Sequence, residues 1–289
     1  MTAASRLDGI QRSLSVSGVQ ARIVQDPFSS RQPGQQGAYL LEIGGAEQSH
    51  VDLDHPERIF YEYLNRIGTL LDAIRPAGEA VSVLHLGAGA LTLARYCAVT
   101  RPGSVQVAVE LERELLDLVL TQLPLPAGAT VHPLIGDVRE SLPEAAAWEP
   151  YELIVLDIFS GPEAPAHVAC PEFYAEAATL LAPGGVLAVN IGDDPPLTLV
   201  RSQTRALSSI LPAAALTGPT AMFSARYPGN LVLAAVALES AAVGSRAPVP
   251  GTSSETERWP QEWTEAWLQR GPHPCTVLSG VELEDFARA

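Results

Sequence analysis

Three acidic residues each close a short apolar run, the placement that chemistry on a nucleoside would require. Glu110 ends the run 105–110, Asp137 follows Gly136 after 130–135, and Asp157 ends 153–157 within Val155-Leu156-Asp157-Ile158-Phe159-Ser160-Gly161. A further apolar run, 81–86, passes into Gly87-Ala88-Gly89. Glycine lets the backbone turn sharply and approach a ligand with no Cβ in between. Glu110 lies 21 positions after Gly89, where a carboxylate beside the turn accepts both hydrogen bonds of a ribose diol. Nicotinamide proteins share that spacing. The Gly136-Asp137 pair, whose carboxylate suits an adenine amino group, and the turn Pro183-Gly184-Gly185 point instead to an adenosylmethionine-type nucleoside.

Such acids meet only if the elements behind them lie side by side. Residues 80–240 alternate apolar runs (81–86, 105–110, 130–135, 153–157, 186–191, 231–238) with helical stretches (91–100, 112–122, 171–181, 197–211). Continuous apolar runs suit strands covered on both faces. Their alternation with helices implies an α/β, doubly wound, Rossmann-like, mostly parallel sheet. Ligands of such sheets bind outside the carboxyl ends of the strands, so Glu110, Asp137 and Asp157 are expected around one crevice.

The flanks differ in character. Residues 1–75 give alternating stretches at 19–24 and 38–43, read as β-hairpins, with Gly44-Gly45 turning towards Gln48. A helix is expected over 56–74, with Pro56 in its first turn and Asp54 as its cap. Residues 76–240 form the expected nucleoside-binding domain. Residues 241–289 open with a Gly/Ser/Pro-rich linker (244–254), then place Trp259, Trp263 and Trp267 four apart, on one face of a helix docked on the main body.

Charge narrows the partners. Acids outnumber bases 33 to 18, a net −15, and no basic cluster exists to release counterions from a nucleic acid. An acidic field favours a cationic small-molecule substrate. No apolar run approaches the roughly 18 residues of a membrane span, no signal-peptide core is visible, and three scattered cysteines fit a reduced, cytoplasmic setting. The six histidines lack ligand spacing, so no metal is expected. Cys97 reads as core, His85 as a candidate contact in the crevice floor, and Asp193-Asp194 as a capped loop.

The stretch from Gly44 to about Ala237 resembles the spermidine synthase family of aminopropyltransferases, which shares its fold with class I methyltransferases. The matching pieces are Ile43-Gly44-Gly45-Ala46-Glu47-Gln48, Gly87-Ala88-Gly89, Val109-Glu110-Leu111, Gly136-Asp137-Val138, Asp157, and Pro171-Glu172-Phe173-Tyr174. The resemblance implies a donor, S-adenosylmethionine or its decarboxylated form, touched by Gln48, Gly87, Gly89, Glu110, Asp137 and Val138. It implies Asp157 as the base or orienting carboxylate for an incoming amine, Tyr61 and Ser160 on the substrate side, and a homodimer. The chain also departs from the family. Ala90-Leu91 stands where the family carries an Asp, Phe60-Tyr61-Glu62 replaces its Tyr-His-Glu, and the second Asp of its active-site loop is replaced around Ser160. Losing a charged hydrogen-bond partner costs about 2–5 kcal/mol in binding, which argues against efficient putrescine aminopropylation. Three readings follow: an aminopropyltransferase-like enzyme, a small-molecule methyltransferase favoured by Ala90, and a nucleoside-binding module without activity.

Overall fold

The computed structural model describes residues 10–29, 35–158, 165–224, 227–238 and 258–289. The chain opens with four antiparallel strands in sequence order: β1 (Ile10–Ser13), β2 (Gln20–Gln25), β3 (Ala38–Ile43) and β4 (Ala46–Asp52). Gly44 and Gly45 both adopt left-handed φ (60° and 84°), which closes the β3–β4 hairpin. The pairing runs Leu41 to Ser49 and then Glu42 to Glu47. Gln48 is therefore an extra residue in β4, and such a bulge bends a strand and re-aims its side chains.

Helix α1 (Glu62–Ile74) follows, six residues later than Pro56 suggests. Asp54 does not cap it. Its carboxylate accepts instead from the Gln36 and Gly37 amides at 3.0 and 2.7 Å, and Tyr61 occupies the cap position without a side-chain bond. The remaining elements are β5 (Ser82–Leu86), α2 (Thr92–Thr100), β6 (Val105–Glu110), α3 (Arg113–Gln122), β7 (Thr130–Ile135), α4 (Leu142–Ala145), β8 (Tyr151–Leu156), α5 (Pro171–Ala178), β9 (Leu181–Asp193), α6 (Thr198–Ser208), β10 (Ala214–Pro219), α7 (Thr220–Phe223), β11 (Gly229–Val236), α8 (Gln261–Gln269), β12 (Cys275–Ser279) and α9 (Gly280–Arg288).

Eight of these strands form the main sheet, in the order β12-β10-β11-β9-β8-β5-β6-β7. Strands β5 to β9 pair in parallel, and β10, antiparallel to β11, which is itself antiparallel to β9, runs with them. Only β11 and β12 oppose. The apolar runs are continuous because both faces are covered. In β8, Leu153 and Val155 face a core with α1, α2 and α8, while Ile154 and Leu156 face α5 and α6. Burying each such side chain contributes about 1.5–3 kcal/mol. A third apolar cluster joins the N-terminal sheet to α3 through Leu14, Ile23, Leu41, Leu115 and Val119.

Two strands of the main sheet lie outside the expected set. The sequence of β10, Ala-Ala-Leu-Thr-Gly-Pro, has no alternation and a single β-branched residue, Thr217. Strand β12 and helix α9 add to the expected helix of the tail, whose Trp267 is fully buried and donates Nε1–H to the Arg66 carbonyl at 2.9 Å. The linker 244–254 lies outside the described residues.

Candidate functional site

Neighbouring strands deliver their last residues to one edge of the sheet. The Gly87 amide donates to Val109 O, the Gly136 amide to Glu110 O, and the Asp157 amide to Leu86 O, at 2.9–3.0 Å. Gly87 has φ +101°, and a Cβ there would meet the Asp157 carbonyl oxygen at 2.1 Å. No other residue type fits this crossing of β5 and β8. Leu91, at the cap of α2, is also left-handed (φ 57°), a conformation that is costly for a side chain with a Cβ. It is tolerated because the Leu91 side chain is buried with Ala90 against the N-terminal sheet's cluster. An apolar plug thus stands where the resembled family carries an acid.

Glu110 is 9% exposed. Its Oε2 accepts from the Ala88 amide at 3.2 Å and its Oε1 from the Glu112 amide at 3.1 Å. Burial pushes its pKa up, and the amides of Glu112, Ala88, Gly89 and Leu111 partly offset that. Above the glycine turn sits β4. The Ala90 amide donates to Ser49 Oγ at 3.2 Å and the Thr92 hydroxyl to His50 O at 2.9 Å. Gln48 is exposed beside them.

Asp157 carries two hydrogen bonds from opposite sides. Tyr63, the second residue of α1, donates its hydroxyl to Oδ2 at 3.1 Å, and Asn190 of β9 donates Nδ2–H to Oδ1 at 2.8 Å. Burial raises the Asp157 pKa, while the Asn190 and Tyr63 bonds pull it back. From Tyr63 a row of rings leads outwards. Tyr61 stacks on Tyr63 at 6.3 Å, Phe60 meets Tyr61 edge-on at 5.5 Å, and His50 stacks on Phe60 at 4.7 Å. Burial, then the fields of Glu47 and Asp26, push the Tyr61 phenol up, so it stays an O–H donor. The Tyr61 oxygen and Asn190 Oδ1 are both buried without a hydrogen-bond partner among the described residues.

Asp137 stands one strand further along and is already engaged. Its Oδ1 accepts from the Arg139 and Glu140 amides at 2.9 and 3.3 Å, and its Oδ2 meets His167 Nε2 at 2.7 Å. Burial would raise its pKa, but the His167 bond and the two amides hold it below the usual range. Arg139, gripping Glu176 with two nitrogens, donates also to His167 O at 2.9 Å, which ties the segment after β8 to this loop. Val138 is buried in the core beneath α5.

The glycine turn thus lies between Glu110 and Asp157, with β4 above it. Asp137 is adjacent to Glu110, its Oδ2 already bonded to His167, and Ser160 lies outside the described residues. His85 is not a crevice contact. It is buried, bonded to Gln106 at 2.9 Å, and held by burial at a pKa of about 4. Cys97 is core, and Asp193 caps α6 through the Val200 amide at 2.8 Å. Sequence reasoning missed Tyr63, Asn190 and His167. Asn190 had a signal, being the one polar residue within Val186-Leu187-Ala188-Val189-Asn190-Ile191.

The sheet order, the glycine turn and the strand-end acids define a class I methyltransferase fold preceded by a small antiparallel sheet. Among solved structures, a probable spermidine synthase from Corynebacterium glutamicum is similar over 97% of this chain and 93% of its own, at 24% identity and TM-score 0.76. A spermidine synthase in complex with the transition-state analogue AdoDATO matches 78% of this chain and 71% of its own, at 13% identity and TM-score 0.51. Human methyltransferase-like protein 13, in complex with SAH, matches 80% and 94%, at 18% identity and TM-score 0.53. At these identities the likeness is one of fold. No protein-family model matches the sequence, and no curated protein does.

Proposed function

We propose that the chain is a transferase that binds an adenosylmethionine-type donor beside the glycine turn and passes an alkyl group from it to an amine. The observation that carries this reading is Asp157: a buried carboxylate with two hydrogen-bonded neighbours, one strand from the glycine turn. A donor of this type fits the residues present. The glycine turn lets a ligand approach the backbone closely, and the Glu110 carboxylate, held beside it by the Ala88 and Glu112 amides, is placed to accept from a ribose diol. When bound, the donor supplies a carbon activated by a sulfonium.

The protein's share is positioning and proton transfer. An amine attacks only when unprotonated, so a base must take its proton as the new C–N bond forms and the S–C bond breaks. Ionised Asp157 does this, and Tyr63 and Asn190 fix its two oxygens, so little reorganisation remains at the moment of reaction. The similarity of fold to spermidine synthases supports an aminopropyl group. The buried Ala90 and Leu91 support the second reading, methyl transfer, because no acid stands there to select a decarboxylated donor.

Calorimetric titration with S-adenosylmethionine, its decarboxylated form and 5′-methylthioadenosine separates the two. Tighter binding of the decarboxylated donor supports aminopropyl transfer, and tighter binding of the full donor supports methyl transfer. Failure of all three to bind removes the reading. In Asp157→Asn, turnover is expected to vanish with donor affinity within a few-fold of the parent; unchanged turnover takes the base role away from Asp157.

A further inference from the structure

Asn190 has its amide fixed by chemistry. Its Nδ2–H donates to Asp157 Oδ1 at 2.8 Å; turned round, its oxygen would meet a second acceptor whenever that carboxyl is ionised. The other end, Oδ1, is buried and has no donor among the described residues. An unpaired buried acceptor is costly, and such groups in folded proteins ask for an explanation. Here it sits beside the one carboxylate that the proposed chemistry needs free.

Resting on the function proposed above, we infer that Asn190 Oδ1 and Asp157 together form a two-acceptor seat for a primary amine, one N–H directed to each. The seat thereby selects the chemical class of the acceptor. A primary amine brings at least two N–H donors. A hydroxyl brings one, and a tertiary amine in its neutral form none. A site that hydrogen-bonds a substrate group rejects analogues lacking it, since its own buried atoms stay unpaired.

The surroundings suit the same ligand. Tyr63 reaches Asp157 from α1, and the rings of Tyr61 and Phe60 continue from it towards solvent, Phe60 being 66% exposed and backed by the buried ring of His50. Ring faces attract an ammonium group and accommodate an apolar chain behind it. An amine arriving protonated passes along this row and releases that proton to solvent before it docks, which leaves Asp157 ionised for the proton lost as the C–N bond forms. Asn190 differs from a second carboxylate in one respect: it accepts a hydrogen bond without adding a charge that would keep the proton on Asp157 or on the amine.

The test is a binding series on the wild-type protein: n-butylamine, N,N-dimethylbutylamine and n-butanol, each titrated with and without saturating 5′-methylthioadenosine. Butylamine is expected to bind about tenfold or more tightly than either analogue. In Asn190→Leu that preference should be lost while nucleoside affinity stays within about threefold. Asn190→Asp keeps the shape and is the control should the leucine variant fold poorly. With it, butylamine binding persists, but the acid limb of the pH profile moves upwards, because two adjacent carboxylates share a proton. Equal binding of the three ligands to the wild type means that Oδ1 holds only a water, and overturns the seat. So does an unchanged butylamine preference in Asn190→Leu. A nucleoside that fails to bind counts against the function proposed above, whereas the amine series without nucleoside still reads the seat.

Discussion

Asp157 holds two hydrogen bonds that favour its ionised form in surroundings that disfavour charge, and this balance sets how it responds to single changes. Burial raises its pKa and Tyr63 lowers it. Removing the phenol removes a stabiliser of the carboxylate, so in Tyr63→Phe the folded pKa rises further. A base works only when ionised, so the acid limb of kcat/KM should move to higher pH, with activity at alkaline pH nearly kept. A pH–rate profile of both proteins checks this; an unmoved acid limb places the phenol outside the proton path. Glu110 behaves differently. Four backbone amides offset its burial, and these belong to the glycine turn and the β6–α3 loop, so its charge is maintained by the loop it braces.

At the scale of elements, the N-terminal sheet is held to the carboxyl edge of the main sheet by few polar contacts, which makes them measurable. Glu112, buried at the start of α3, accepts from the Val16 and Ser17 amides at 3.0 and 2.6 Å. Burial would raise its pKa, but the Ser17 hydroxyl and the amides of Val16, Ser17 and Ser15 bring it below the ordinary range. A carboxylate depressed in the folded state stabilises the fold above its unfolded pKa and loses that contribution as pH falls through the folded one. Glu112→Gln should therefore cost about 1–3 kcal/mol at neutral pH, and the gap to the parent should close in acid. Urea denaturation at several pH values reads the difference; a gap independent of pH would show that charge plays no part.

Much of this arrangement was legible in the residues themselves. The parallel strands were visible because both their faces are apolar, and the glycine turn and Glu110 because their spacing follows from the geometry of one strand-helix-strand unit. What stayed hidden depended on distant partners. Asp54 looks like a helix cap, yet the Gln36 and Gly37 amides reach it first, and α1 starts later in consequence. Asp137 looks unengaged in the sequence, but His167, 30 residues on, already bonds one of its oxygens. Tyr63 carries no local mark at all, since its role comes from the helix turning it towards β8. Strand β10 escaped because its alanines gain strand character only from lying between β11 and β12.

The whole molecule is closed from its far end. Residues 258–289 contribute Trp267 and Trp259 to the core under α1, and Arg270 and His273 pair with Asp72 and Glu62 of that same helix. Trp267→Ala removes a fully buried ring and should cost about 3–5 kcal/mol, measured by thermal or chemical unfolding. Helix α1 also carries Tyr63, so the substitution is expected to weaken amine binding more than nucleoside binding. Equal losses in both would mean that the tail supports the fold without reaching the site.

Strand β12 sets a schedule as well as a boundary. Thr217 of β10 donates its hydroxyl to Thr276 O, a partner 59 residues further along the chain, so a nascent chain shows a bare strand edge throughout the synthesis of that interval. Unpaired edges invite pairing with other chains, and contacts so distant in sequence form slowly. The edge of β10 is therefore covered only when residues 275–279 arrive, after all the parallel strands of the sheet have been synthesised.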